Sequence, residues 1–242
     1  FWSRQGEQAA RKFDSVILPK ETKEKIINHL DTFLKERDWY LDNGIPYRTG
    51  IILHGVPGTG KTSLVRGLCE YLNKPLYIIN LNTLSDNELE LAFSELPRGS
   101  VCLMEDIDTY SVTNTRQEDE DGGESTSDAI AKAISSLTLA GLLNAVDGII
   151  ASDGRILIAT TNHLEKLDPA LVRKGRFNLT TEIGYLTEPC FREFFAKFYP
   201  NFPSSPNTKF VEDMVPATLQ ALIIDNRNNP AYVLEQCKVK DV

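Results

Sequence analysis

The sequence is poor in the residues that build metal sites and disulfide frameworks. Its 242 residues include only four cysteines and three histidines, and no two cysteines are spaced as Cys-x-x-Cys. Cysteines that lie far apart are typical of buried thiols in a reducing compartment. We therefore expect free, buried cysteines rather than a metal centre. They are Cys69, Cys102, Cys190 and Cys237.

Long apolar runs and an excess of positive charge are also missing. No apolar segment approaches the roughly 18 residues of a membrane-spanning helix, and the N-terminus lacks a secretory signal. Lys and Arg number 26 against 34 Asp and Glu, which gives a net charge of −8. Such a surface repels phosphate backbones, so nucleic acid is a poor candidate partner.

The chain begins with Phe1 rather than methionine, which suggests a fragment of a longer protein. We interpret residues 1–12 as an N-terminal linker, and we expect the fragment itself to be soluble. Any membrane attachment would then come through a segment upstream of this chain.

Apolar segments typical of buried strands alternate with helical patterns along most of the chain. Four such segments read GIILHG, PLYIINL, SVCLMED and RILIATTN. Apolar strands separated by helices indicate an α/β fold with a parallel sheet covered on both faces. DSVILP is interpreted as a short strand or an extended entry, and KETKEKIINHLDTFLKERDWYLDNG as one amphipathic helix. SDAIAKAISSLTLAGLLNAVDG is interpreted as a long helix that could be broken.

The character of the sequence changes after Gly184. The aromatic residues of EPCFREFFAKFYPNF recur at helical spacing, which indicates a helix that packs them into a core, and PATLQALIIDN and NPAYVLEQCK predict two more helices. We therefore predict an α/β nucleotide-binding domain over 13–185 and a small α-helical lid over 186–242. Residues 111–128, with one aliphatic residue and a cluster of acids, predict a mobile loop.

The stretch GVPGTGKT, Gly55–Thr62, matches the phosphate-loop pattern Gly-x-x-x-x-Gly-Lys-[Ser/Thr] in full. It follows an apolar strand and opens a helix, where backbone N–H groups and the positive helix end bind phosphate oxygens. Lys61 brings positive charge to the β- and γ-phosphates, and the Thr62 hydroxyl can ligate Mg²⁺. The sequence thus predicts a site for ATP and Mg²⁺. Its nucleotide-binding residues are Val56, Pro57, Gly58, Thr59, Gly60, Lys61, Thr62 and Ser63.

Two adjacent carboxylates, Glu105 and Asp106, end the third apolar strand, and Asp108 follows them. Carboxylates beside a magnesium nucleotide can hold the ion through its waters and polarise the attacking water. Many ATPases place an aspartate before a glutamate at this position, so the order here is reversed.

The order of these parts resembles that of an AAA ATPase. ATTNH places Asn162 at the end of the fourth strand, as in the family's first sensor, and LDPALVRKGRFN is similar to its second region of homology. By that resemblance, Arg173 and Arg176 are arginine fingers that reach the γ-phosphate of a neighbouring subunit. The implied catalytic residues are Glu105, Asp106, Asn162, Arg173 and Arg176.

Within that class the chain resembles the BCS-type AAA ATPases. The resemblance rests on WYLDNGIPYRTGIILHGVPGTGKTS, LMEDID, LAGLLNAVDGI and TTNHLEKLDPALVRKGRFN. The best-known member is a mitochondrial inner-membrane chaperone that moves the folded Rieske protein during assembly of respiratory complex III. Members carry the Glu-Asp order. By position, Glu105 then shares the metal role with Thr62, and Asp106 takes the water-polarising role.

The resemblance implies a homo-oligomeric ring of six or seven subunits that uses ATP hydrolysis to translocate or remodel a protein client. Its location would be the mitochondrial inner membrane or, for a divergent relative, the cytoplasm. The loop NLNTLSDNE lacks the aromatic grip of peptide-threading AAA proteins, which favours a folded client. One alternative is a DNA-linked AAA loader, which the negative charge opposes. Another is a nucleotide-gated binding module with little turnover, which the intact carboxylates and paired arginines oppose.

Overall fold

A computed structural model describes residues 11–109, 137–148, 154–202 and 213–237. The acidic segment 111–128, most of the linker 1–12 and the first part of the helix predicted from residue 127 lie outside these ranges. Among the described residues, no helix is long and apolar enough to cross a membrane.

Five parallel strands form the central sheet, in the order β2-β3-β4-β1-β5. The strands are β1 (Arg48–His54), β2 (Leu76–Ile79), β3 (Val101–Met104), β4 (Arg155–Thr161) and β5 (Leu179–Glu182). The pairing of β1 with β4 ends at His54↔Thr161. The pairing of β3 with β4 ends at Met104↔Ala159. Because parallel strands run in one direction, the chain segments that follow β1, β3 and β4 emerge at one edge of the sheet.

Helices cover the sheet and continue beyond it. They are α1 (Lys20–Lys35), α2 (Arg37–Asp42), α3 (Lys61–Leu72), α4 (Asp86–Glu95), α5 (Leu139–Asp147), α6 (Glu188–Phe198), α7 (Pro216–Asp225) and α8 (Pro230–Gln236). Local signals explain several starts. Ser85 and Glu88 form a capping box at α4, and the Asn229 side chain caps α8 with Pro230 in its first turn.

Apolar side chains on the two faces of the sheet belong to separate clusters. Ile52 and Leu157 pack with residues of α4 and α5, whereas Ile51 and Ile156 pack with residues of α1 and α3. This division follows from the alternation of side chains along each strand. A third cluster joins α6, α7 and α8, and includes Ile17 from the entry of the chain. The predicted α/β fold is thus confirmed, with helices after the sheet.

The cysteines are free and buried, as predicted. Burial raises the pKa of the Cys69 and Cys102 thiols to about 12 and that of Cys237 to about 11. A thiol with a raised pKa is a weak nucleophile and metal ligand at neutral pH.

Three local predictions need correction or refinement. The fifth strand was not predicted, because LTTE contains a single aliphatic residue; among the described strands it pairs with β1 alone. DSVILP is an extended entry after a short 3-10 turn at Phe13–Ser15, not a strand. The first helix divides at Glu36 (φ −92°, ψ 15°). After the division, Tyr40 packs edge-on against Phe33, and both rings contact Tyr47.

Candidate functional site

The turn between β1 and α3 has the backbone of a phosphate loop. Gly58 and Gly60 have φ values of 82° and 95°, which favour glycine. The Thr59 hydroxyl donates to Val56 O at 3.0 Å and braces the turn from inside. No side chain of the described residues caps the N-terminus of α3, so its first N–H groups are available to an anion.

Lys61 is buried at the centre of the site. Its ammonium donates to Gly55 O at 2.7 Å, to Val56 O at 3.1 Å and to the Asn162 side-chain oxygen at 2.8 Å. Burial lowers the pKa of Lys61, and the nearby charges of Asp106 and Asp108 oppose that effect. Lys61 thereby joins the phosphate loop to the end of β4.

Thr62 and Glu105 form the pair predicted to hold Mg²⁺. The Thr62 hydroxyl donates to Glu105 Oε1 at 2.8 Å, so the oxygens of α3 and of the β3 end are adjacent. Mg²⁺ takes oxygen ligands and commonly keeps several waters, so one or two protein oxygens suffice. The pair, the uncapped helix and Lys61 therefore fit a magnesium nucleotide.

Asp106 has an unusual backbone. Its φ of 47° lies in the left-handed region, which is uncommon for residues other than glycine, although aspartate adopts it more readily than most. The amide of Asp106 donates to Thr160 Oγ1 at 3.1 Å, and its carbonyl accepts from the Thr109 amide at 3.0 Å. Burial, then the charges of Asp108 and Glu105, raise the pKa of the Asp106 carboxyl, while Lys61 opposes the rise. Strain of this kind often occurs at functional sites.

Asp108 contacts the end of β4 at Thr161 and Asn162. Its Oδ1 accepts from the Thr161 hydroxyl at 2.7 Å and from the Asn162 amide at 3.2 Å. The sequence marked Asp108 as part of the acidic strand end but did not indicate this contact.

The two predicted arginine fingers have different surroundings. Arg173 is exposed. Arg176 is held within the subunit: its Nε and Nη2 donate to Asp147 Oδ2 at 2.8 and 2.5 Å, and its Nη1 donates to Ala170 O. Arg48 also contacts the Asp147 carboxylate, at 3.4 Å. The Arg176 guanidinium is the main cause of the lowered pKa of Asp147.

Gly50 explains how the Arg176 backbone approaches β1. A Cβ at Gly50 would lie 2.1 Å from Arg176 O, so only glycine fits without a shift. The Asn178 amide then donates to Gly50 O at 2.8 Å. The segment that carries Arg176 therefore packs closely against β1 at Gly50, and the Arg176 side chain is held by Asp147.

Helix α7, in the segment predicted to form a lid, contacts the phosphate loop directly. The Ala217 amide, in the first turn of α7, donates to Gly58 O at 3.1 Å, and a Cβ at Gly58 would lie 3.2 Å from the Ala217 Cβ. The hydroxyl of Ser63, one of the predicted nucleotide-binding residues, accepts a hydrogen bond from Arg11 Nη1 at 3.0 Å.

The structure brings five predicted residues together. Lys61 and Thr62 begin α3, Glu105 and Asp106 follow β3, and Asn162 follows β4. Among the described residues, no hydrogen bond or ion pair joins Arg173 or Arg176 to them. The sequence reasoning missed Asp147, although it stands in the motif LAGLLNAVDGI, because spacing alone does not show which acid an arginine contacts.

Comparison with known proteins places this site in a family. The model of the ATPase family associated with various cellular activities (AAA) matches residues 51–185. The chain is 39% identical over 255 residues to "Probable mitochondrial chaperone BCS1-B" of Dictyostelium discoideum, covering 94% of this chain and 55% of the relative.

Two further relatives agree. "Probable mitochondrial chaperone bcs1" of Schizosaccharomyces pombe is 37% identical over 239 residues, with 96% of this chain and 50% of the relative covered. "Mitochondrial chaperone BCS1" of Bos taurus is 31% identical over 237 residues, with 94% and 55% covered. The chain spans about half the length of these relatives. It belongs to the AAA family of ATPases, and within that family it is similar to the BCS-type chaperones.

Proposed function

We propose that this chain is the ATP-hydrolysing module of a homo-oligomeric ring of six or seven subunits that translocates or remodels a folded protein client. The observation that carries the ATP site in this proposal is the pair of contacts Lys61–Asn162 and Thr62–Glu105, which joins the phosphate loop to the ends of β4 and β3. The ring and the client are proposed from the similarity to the BCS-type chaperones. The relatives' names support a chaperone and a mitochondrial location.

Each side chain has a distinct role in this proposal. The backbone N–H groups of the loop after Pro57 and of the first turn of α3, together with the Lys61 ammonium, bind the phosphates. Thr62 and Glu105 lie on the side of the metal, and bound Mg²⁺ would neutralise charge on the phosphate oxygens.

Asp106 acts on the attacking water. Its carboxylate accepts a hydrogen bond from the water and takes up a proton as the water oxygen bonds to the γ-phosphorus and the bond to the β,γ-bridging oxygen breaks. Asn162, which follows β4 and contacts Lys61, helps to orient the γ-phosphate and the attacking water.

The arginines act between subunits. Arg173 is exposed and can reach a neighbouring site, whereas Arg176 contacts Asp147 within its own subunit. In the ring, the neighbour's phosphate charge would compete with Asp147 for Arg176. Arginine at this position stabilises the charge that develops on the transferred phosphoryl group.

The surface of the loop between β2 and α4 favours the hypothesis that the client is folded. Leu81 is buried in the core cluster and Leu84 packs against it, so the exposed residues of the 3-10 turn are Asn82 and Thr83. A polar surface of this kind offers no aromatic grip on an extended chain.

Calorimetry with ATP and Mg²⁺ tests the nucleotide site. Lys61→Ala should lose most of the ATP affinity, whereas Lys20→Ala, which removes an exposed lysine on α1, should bind ATP normally. Unchanged binding by Lys61→Ala would remove the assignment. A turnover assay with and without DNA separates the alternatives, because a DNA-linked loader would be stimulated by DNA and a binding module would hydrolyse little ATP.

A further inference from the structure

The ends of β3 and β4 are joined by side chains where their backbone pairing stops. The strand ladder ends at Met104↔Ala159. Beyond it, Thr160 Oγ1 accepts from the Asp106 amide at 3.1 Å, and Asp108 Oδ1 accepts from the Thr161 hydroxyl and the Asn162 amide at 2.7 and 3.2 Å. Three consecutive residues of β4 and its end therefore hold the acidic segment.

These contacts fix the direction of the Asn162 side chain. Asn162 follows the last residue of β4, so the sheet ladder does not hold its amide. Asp108 supplies the acceptor instead, and the Asn162 side-chain oxygen then lies 2.8 Å from Lys61 Nζ. The Thr161 hydroxyl is buried and the Asn162 amide is partly buried. A donor shielded from water without an acceptor is costly, so loss of Asp108 would favour another backbone direction at Asn162.

Asp108 is well suited to this task. Its side chain is 5% exposed, and one carboxylate oxygen accepts both donors. Hydrogen bonds to a carboxylate acceptor are stronger than neutral ones, and the bond from the Thr161 hydroxyl, at 2.7 Å, is the shorter of the two. The backbone of nearby Asp106, which has a positive φ, is also held by β4, because its amide donates to Thr160 Oγ1.

We propose that Asp108 is a positioning residue for ATP hydrolysis, which holds Asn162 at bonding distance from Lys61 through the Asn162 amide and Thr161. It acts through Asn162 and does not itself contact the nucleotide. The inference rests on the proposed role of Asn162 in hydrolysis.

Two substitutions separate positioning from charge. Asp108→Leu removes the acceptor at similar volume, and Asp108→Asn keeps an acceptor oxygen without the charge. Loss of a residue that orients a metal ligand typically costs about 10–100-fold in activity. By analogy, Asp108→Leu, which removes the partner that orients Asn162, should lower kcat by a similar factor. Asp108→Asn should lose much less, and Asp42→Asn, at an exposed acid, serves as the control.

Two further measurements distinguish this role from general destabilisation. The Kd for ATP, measured by calorimetry, should change far less than kcat in Asp108→Leu. Hydrogen exchange of the Asn162 amide should be faster in Asp108→Leu than in Asp108→Asn, in protein without nucleotide. A parallel loss of ATP affinity and kcat, or an unchanged exchange rate at Asn162, would overturn the proposal.

A double-mutant cycle with Asn162→Ala completes the test. In the Asn162→Ala background, Asp108→Leu should cost little more, because the two residues act as one unit. Losses that simply add would overturn the inference while leaving the role of Asn162 intact. A normal kcat for Asn162→Ala itself would instead remove the proposed role of Asn162, and with it this inference.

A variant that alters less of the core guards against misfolding. If Asp108→Leu does not fold, Thr161→Val removes one of the two donors at nearly constant volume. It should lower kcat with little change in Kd, and a kcat equal to that of the unmodified protein would contradict the proposal.

Discussion

At the scale of single residues, the reversed acids can be separated by geometry. Glu105 accepts a hydrogen bond from the Thr62 hydroxyl, which agrees with its proposed place on the metal side, while burial and the charges of Asp108 and Glu105 raise the pKa of the Asp106 carboxyl. Asp106→Asn should preserve binding of Mg²⁺ and ATP and lower the hydrolysis rate by about 10²–10⁴, the usual contribution of a general base. Glu105→Gln should instead weaken the Mg²⁺ dependence of binding.

Calorimetry and a turnover assay on the same preparations give both quantities. Exchanged phenotypes, with Glu105→Gln retaining bound ATP without turnover and Asp106→Asn hydrolysing normally, would show that glutamate is the base in spite of its position.

Asp147 gives a prediction about pH. Its hydrogen bond to Arg176 holds the pKa of the carboxyl below its usual range, so the ionised form contributes to folding stability above the ordinary pKa near 3.9. That contribution is lost as the pH falls through the lower, folded-state value. Because the Asp147 side chain is 41% exposed, solvent screens the pair and the effect should be about 0.2–1 kcal/mol.

Urea unfolding of Asp147→Asn and of the unmodified protein at several pH values measures it. The difference in free energy of unfolding should be present at pH 7 and shrink below about pH 4. A difference that stays constant over this range would exclude the ion pair as its cause, and Asp42→Asn gives the baseline for an exposed acid.

At the scale of elements, Gly50 shows how β1 fixes the arginine segment. A Cβ there would lie 2.1 Å from Arg176 O, a backbone atom that cannot rotate away. Gly50→Ala should therefore lower the free energy of unfolding by about 1–3 kcal/mol, the usual cost of overpacking. Gly184→Ala is the matched control, because its Cβ would meet only the Glu182 side chain at 3.9 Å. Equal stability of the two variants in urea would contradict the close approach.

The elements also show which parts of the fold the sequence can predict. The phosphate loop and the apolar strands were predictable because local residue types determine them, as in the glycines before Lys61 and the unbroken apolar run at β3. The strand β5 was not predictable, since LTTE becomes a strand through pairing with β1. The contacts of Asp108 and Asp147 join residues 53 and 29 positions apart, and no local pattern records such pairs.

At the scale of the whole molecule, substitution of the arginines tests whether neighbouring subunits of a ring share active sites. Subunits with Arg176→Ala keep an intact phosphate loop, and subunits with Lys61→Ala keep intact arginines. If the arginines act on a neighbour, mixed rings contain some sites with a normal loop and a normal arginine, so mixing should restore part of the ATP hydrolysis. A parallel mixture with Arg173→Ala tests the exposed arginine.

Mass spectrometry of the intact assembly verifies that mixed rings form. Mixed rings that never hydrolyse ATP would show that the arginines do not act across the subunit boundary.

The hydrogen bond from the Ala217 amide to Gly58 O connects α7 to the phosphate loop, so the ATP affinity can depend on the position of α7. If ATP favours one orientation of the lid, then linkage requires that whatever favours that orientation strengthens ATP binding by the same factor. A client or a neighbouring subunit that presses on α7 would change the ATP affinity without touching the phosphate loop. Under this linkage, a force on α7 and the occupancy of the nucleotide site would shift the same conformational equilibrium.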